Sequence, residues 1–159
     1  MKVTALEEYG LRCVLQLARQ QGEAAASAED IAHKEGMSGA YVQKILLKLC
    51  NAGIVRSVRG SHGGYRVARP AEQISMGEVI RALDGAFVTE LCSNFPGNTD
   101  QCVHISSCGI RPAWLLIMQQ VYAIMDRTTI ADLLVQEAQV PERLGMKILP
   151  AVETVGSSS

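Results

Sequence analysis

Between Gly36 and Ala71 the chain carries six Lys or Arg residues and no Asp or Glu. The remaining 123 residues hold nine basic and sixteen acidic side chains and sum to −7. A chain of formal net charge −1 has therefore gathered its positive charge into under a quarter of its length. Segregation of this kind points to a surface for a polyanion. The order of residues within the stretch limits its shape. Ser38 reads as an N-cap, and Gly53 as the residue just past the end of a helix of roughly four turns. Val42, Ile45, Leu46 and Leu49 fall on one face of it, while Tyr41, Gln43, Lys44 and Lys48 lie off that face and are expected to point outward. Ile54 to Arg59 favours a strand, Gly60 to Gly64 a turn, and Tyr65 to Arg69 a returning strand stopped by Pro70. A cationic helix followed at once by a basic hairpin has the form of a recognition helix and a wing. A solvated basic face on an ordinary α/β unit is the weaker alternative.

Upstream, Thr4 and Glu7 form the pattern of a capping box, opening a helix whose inner face holds Leu6, Tyr9, Cys13 and Leu17. Leu11, Val14, Leu15 and Ala18 broaden that face. Cys13 is explained as a small apolar core residue, and Glu7 and Glu8 as carboxylates placed favourably in a first turn. Ser27 starts a short helix with Ile31 and Ala32 turned inward, ending near Gly36. Helix, short turn and basic helix together make a helix-turn-helix. Cys50 is expected to be buried one turn beyond Leu46. After the wing, Ser75 and Glu78 cap a helix from Met76 to Leu83 with Val79, Ile80 and Leu83 facing the core. From Arg111 to Asp126 runs the longest strongly apolar helix, with Pro112 in its first turn. Trp114, Ile117, Met118, Val121, Ile124 and Met125 recur at three- and four-residue steps, and Leu115, Leu116 and Ala123 make its other surfaces apolar too. A helix apolar on more than one side, late in a small chain, fits packing against a partner chain. Thr128 or Thr129 is placed to cap a short last helix through Leu134.

These elements give a mainly α fold with a small β-hairpin: a winged helix-turn-helix plus a long dimerisation helix. The expected organisation is a DNA-binding domain over 1–85, a cysteine-bearing loop over 86–110, the dimerisation helix and a short helix over 111–136, and a loosely ordered tail over 137–159. Apolar residues make up 48% of the 159, but only seven are aromatic, so aliphatic packing must dominate the core. No stretch approaches the roughly 18–20 uncharged apolar residues of a membrane span, and the first residues lack a signal peptide's apolar core. A cytoplasmic protein is the expectation, and five cysteines are then thiols or ligands rather than a disulfide scaffold.

Three of those cysteines, Cys92, Cys102 and Cys108, lie in one segment of loop-like composition, separated by nine and then five residues. A loop offers little apolar burial, so packing explains them poorly. Soft thiolates suit an iron–sulfur cluster, zinc or copper(I). His104 inside the segment would complete a Cys₃His zinc set, although close Cys-x-x-Cys pairs are absent. Free thiols used for redox sensing are the metal-free alternative. An enzyme is disfavoured. No Ser-His-Asp set has local support, and the glycines at 60–64 lie in a hairpin turn rather than a phosphate-cradling strand-to-helix turn. An electron-transfer or cluster-carrier protein with a basic face leaves the helix-and-wing pattern unexplained.

The chain resembles the Rrf-two family of bacterial transcription regulators, which includes iron–sulfur and nitric-oxide sensing members of the IscR and NsrR type. The likeness covers about residues 1 to 136. It rests on Lys2-Val3-Thr4 with Tyr9, Ser38-Gly39-Ala40-Tyr41-Val42, Ala52-Gly53-Ile54-Val55, Ser57-Val58-Arg59-Gly60, Gly63-Gly64-Tyr65 and Ala68-Arg69-Pro70. It continues through Ile74-Ser75, Glu78-Val79-Ile80, the three cysteines, Arg111-Pro112-Ala113-Trp114 and Thr129-Ile130-Ala131-Asp132-Leu133. The resemblance implies a homodimer joined through the long helix, by Trp114, Ile117, Met118, Val121 and Met125. It also implies a 2Fe–2S or 4Fe–4S cluster held by Cys92, Cys102 and Cys108, with a fourth ligand that differs among members. A histidine three positions after the last cysteine is ruled out, because Arg111 stands there. Glu8 matches the first-helix carboxylate that other members use, with His104 as substitute.

For such a regulator, Lys44, Lys48, Arg56, Arg66 and Arg69 would meet phosphates. Tyr41, Gln43 and Lys44, at the start of the recognition helix, would meet base edges in the major groove, with Gln43 suited to adenine and Ser38 at the helix head counted among the DNA-binding residues. Arg59 and His62 near the wing's turn would enter the minor groove. Two such units on a two-fold axis imply a pseudo-palindromic duplex operator.

Overall fold

The computed structural model describes residues 3–20, 25–60, 63–83, 104 and 107–145. Its elements run α1 (Ala5–Ala18), α2 (Ala28–Glu35), α3 (Gly39–Asn51), β1 (Val55–Val58), β2 (Gly64–Val67), α4 (Met76–Leu83), α5 (Ile110–Arg127) and α6 (Val140–Arg143). Short 3₁₀ turns cover Ala71–Gln73, Ala131–Leu133 and Glu137–Gln139. No helix among the described residues is long and apolar enough to cross a membrane.

Local chemistry sets the ends of the helices. Thr4 and Glu7 close a reciprocal capping box on α1, Glu7 N donating to Thr4 Oγ1 at 3.2 Å and Thr4 N to Glu7 Oε2 at 2.7 Å. Folding back in this way buries the Glu7 carboxylate, a consequence that its place in a first turn does not announce. Ser27 with Asp30 repeats the device on α2, and Ser75 with Glu78 on α4. Beyond α3, Gly53 sits at φ 68 in the left-handed region. Its N–H donates to Cys50 O and that of Ile54 to Leu49 O, both at 3.0 Å, the paired bonds of a Schellman ending. Gly36, at φ 67, ends α2 and leaves a tight link into α3.

One core holds these elements together. Val42, Ile45, Leu46 and Leu49 are all fully buried, and they meet Cys13, Val14 and Leu17 of α1, Ile31 of α2, Ile54, and Val79, Ile80 and Leu83 of α4. The hairpin pairs Val55 with Val67, Arg56 with Arg66, Ser57 with Tyr65 and Val58 with Gly64. A bridge from Ala26 to Tyr65 adds a third extended segment along β2. At Gly10, α1 passes α4 so closely that a Cβ would overlap the Leu83 Cδ1 methyl.

The end of α5 is fastened to the same body. Met76 N donates to Thr128 O and Ile130 N to Ile74 O, each at 2.8 Å, and Arg81 Nη1 meets Asp126 Oδ1 at 2.7 Å. Met125, Thr128 and Ile130 are buried there. Thr129 and Asp132 form a further capping pair, but the segment they open is a single 3₁₀ turn rather than a helix through Leu134. Residues 137–145 differ from the loose tail expected of them. They fold into a 3₁₀ turn and α6, and Arg143 Nε lies 3.6 Å from Asp132 Oδ1. Most of the cysteine-bearing loop, and residues 146–159 of the tail, lie outside the described residues.

Candidate nucleic-acid interface

The side of α3 opposite its buried stripe is exposed at Ala40, Gln43, Lys44, Leu47 and Asn51. Ser38 is spent as the N-cap, its Oγ accepting the Tyr41 N–H at 3.3 Å. Gln43 and Lys44 stand open to a ligand in the first turns of the helix. Arg56 and Arg59 are exposed on the hairpin. Because Arg56 and Arg66 are cross-strand partners, two like charges stand opposite one another on one face. Like charges directly opposite one another weaken an isolated hairpin. Arg69 is half-buried; its Nη2 pairs with Glu78 Oε1 at 3.0 Å and its Nη1 donates to Gln73 O at 3.2 Å. A shallow cleft between the end of α1 and β2 gathers Gln20, Arg56, Arg66 and Arg69.

Two residues expected to face outward do not. Tyr41 is half-buried and packs edge-on against Tyr9, ring centroids 6.0 Å apart at 90°. Its aromatic body is drawn to the neighbouring helix rather than to solvent. Lys48 is half-buried too, and its Nζ donates to Leu83 O at 2.5 Å. A cation at the carbonyl end of α4 satisfies an orphan acceptor and complements the helix dipole. The recognition helix is thus tied to the last residue of α4. His62 lies outside the described residues.

Of the five candidate metal ligands, Cys92 and Cys102 lie outside the described residues. Cys108 is half-buried beside the start of α5, where its Sγ accepts the Arg111 N–H at 3.4 Å. His104 is exposed. Glu8 is exposed on α1 and pairs with Arg12 Nε at 2.9 Å. Among the described residues no three ligating side chains converge. The two other cysteines are spoken for. Burial pushes the Cys13 thiol up to about 12, aided by Glu35, and burial raises that of Cys50 as well.

Arg12, not singled out from sequence, joins several of these groups. It stacks over Tyr9, 5.6 Å from the ring centroid, and its Nη1 reaches to 3.9 Å from Glu35 on α2. Its spacing of four from Glu8 is the available sequence signal. Leu47 was also missed; its signal is that it falls off the stripe of Val42, Ile45, Leu46 and Leu49.

Along α5 the expected dimerisation residues divide. Trp114 and Ile117 are exposed, together with Ile110 and Leu116 at 68% and 61%. Met118 and Met125 are buried, and Val121 is half-buried against the core, so these three already have neighbours within the chain.

A family model described as an iron-dependent transcriptional regulator, Rrf2, matches residues 3–136. The protein Rrf2 of Nitratidesulfovibrio vulgaris is 32% identical over 89% of this chain and 93% of its own. CymR, the global cysteine regulator of Bacillus subtilis, has a solved structure that aligns with a TM-score of 0.69 at 30% identity, covering 84% of this chain and 96% of that one. The structure of IscR from T. potens gives the same TM-score and identity over 87% and 91%. These relatives are regulators rather than enzymes, and their shared architecture is the one built here from caps, stripe and hairpin. The chain belongs to the Rrf2 family of DNA-binding transcriptional regulators.

Proposed function

We propose that the protein is a cytoplasmic homodimer that binds a pseudo-palindromic duplex operator and answers to redox state, iron supply or nitric oxide through an iron–sulfur cluster. What carries the DNA-reading part is the placement of Gln43 and Lys44 on the open side of a helix whose other side is wholly buried, beside a hairpin bearing Arg56, Arg59 and Arg66. Gln43 reads bases, adenine being the natural match for its amide, while Lys44 and the wing arginines bind phosphates. Lys48 acts differently from the other cations, holding α3 against the end of α4. Dimerisation uses the exposed first half of α5, centred on Trp114 and Ile117.

The donor set suits the cluster. With Cys13 and Cys50 held as buried or half-buried thiols, the remaining three cysteines all fall between α4 and α5. Cys92, Cys102 and Cys108 would hold iron, with Glu8 as fourth ligand and His104 as its substitute. When bound, a cluster supplies a redox- and nitric-oxide-reactive centre that is lost under oxidation or iron shortage. The chain's own residues supply the coupling. Ligation by Glu8 requires its carboxylate to leave Arg12, whose guanidinium already lies near Glu35 of the helix-turn-helix. Tension on the segment after Leu83 is passed to α3 through Lys48. A second reading, favoured by the likeness to a cysteine regulator and by exposed His104, is a zinc-bound Cys₃His or metal-free thiol sensor.

Anaerobic purification with iron, sulfide and zinc analysis separates the two. Brown protein that is bleached by Cys102→Ser is expected; colourless protein with one zinc per chain overturns the cluster. Gel shifts with genomic fragments test the DNA part. Affinity should drop by roughly 10³–10⁵ between 50 and 200 mM salt if each dimer makes about six to ten phosphate contacts. Failure to retain duplex DNA in both metallated and stripped forms would overturn the whole reading.

A further inference from the structure

Leu47 is 62% exposed in the middle of a helix whose other large aliphatic side chains are buried. It is not on the rim of the core. Ala40, Gln43, Lys44, Leu47 and Asn51 are all exposed, and their steps of three and four residues make one continuous face. Leu47 stands one turn beyond Gln43 and Lys44, on the same exposed face of α3. An apolar side chain one turn from the base-reading Gln43 has its bulkiest apolar counterpart in the major groove in the 5-methyl group of thymine. Ring C–H edges such as cytosine C5–H offer no comparable apolar bulk, and the other groups displayed there are hydrogen-bond donors or acceptors, which a leucine would desolvate without satisfying.

We propose that Leu47 is a specificity-determining residue that packs on the thymine methyl of one base pair in each half-site. The proposal rests on α3 lying in the major groove. One helical turn advances about 5.4 Å, so the thymine lies about one to two base pairs from the pair met by Gln43. Burying one methyl against leucine is worth a factor of about four in affinity per half-site. The Leu47 contact therefore tunes sequence preference and leaves salt dependence, which the cations set, unchanged.

The test uses the full-length dimer and duplexes selected by it from a randomised library. In the best selected duplex, each thymine is replaced in turn by deoxyuridine, which deletes the methyl and keeps every hydrogen-bonding group. Wild type should lose about fourfold in affinity at one symmetry-related thymine position, and Leu47→Ala should bind the two duplexes equally. Alanine is a strong helix former and Leu47 carries no core packing, so the variant retains its fold; Leu47→Met should restore part of the discrimination. A selected half-site without thymine within about two base pairs of the Gln43-dependent position overturns the assignment. So does unchanged discrimination in Leu47→Ala. If wild type selects no duplex at all, the groove-binding reading fails first, a result distinct from selective binding that ignores the methyl.

Discussion

Helices α3 and α5 are both rich in aliphatic residues, yet they dispose of them in opposite ways. Over 13 residues α3 sinks Val42, Ile45, Leu46 and Leu49 completely into the core, and its outer side is mostly polar. Over 18 residues α5 buries only Met118 and Met125 and leaves Ile110, Trp114, Leu116 and Ile117 exposed. The first helix is finished within one chain. Among the described residues the second is finished where it is stapled to α4, and its leading half keeps Ile110, Trp114, Leu116 and Ile117 exposed. Similar composition therefore encodes two jobs, and the difference lies in whether a single stripe can absorb the apolar residues. The proposed function calls for both: a reading helix with one fixed orientation, and a joining helix that would take another copy as its partner.

The comparison breaks most directly at Leu46. Truncation by Leu46→Ala should cost about 2–5 kcal/mol in chemical denaturation compared with wild type at the same protein concentration. A much smaller loss would mean that α3 is less firmly anchored than its burial implies. On α5, Ile117→Asp should leave the fold of a protomer intact but raise the dimer dissociation constant tenfold or more, on the order of 1.4 kcal/mol, as read by sedimentation. Unfolding on the scale of Leu46→Ala, with unchanged assembly, would place Ile117 in a protomer's own core and erase the contrast. The smallest effect concerns α4, which supports both helices. The Ser75 backbone N–H, then Arg69, hold the Glu78 carboxyl below its ordinary 4.5. A lowered folded value contributes stability above pH 4.5 that is lost as pH falls through it. The melting temperature should therefore decline on acidification below that point, and Glu78→Gln should flatten part of the decline.

The parts legible in the sequence were those governed by neighbours in the chain. Three capping pairs, the ending at Gly53 and the bounds of α4 from Met76 to Leu83 all come from chemistry within a few residues. The charge cluster likewise located the basic face, because like charges gathered on one helix and hairpin remain together after folding. What escaped depends on meetings between distant segments. Lys48 looks like any surface lysine until α4 places its last carbonyl within reach. Tyr41 turns inward because Tyr9, thirty-two positions earlier, offers its ring. Residues 137–145 lack periodicity yet fold, partly through Arg143 approaching Asp132. Leu47 escaped for another reason: composition alone counts a leucine as interior, and only its phase around the helix says otherwise.

At Gly10 the Leu83 side chain of α4 fills the space into which any larger residue of α1 would place its Cβ. On the proposed reading, a shift of the helix bearing Glu8 would press first on Leu83, the residue whose carbonyl Lys48 holds.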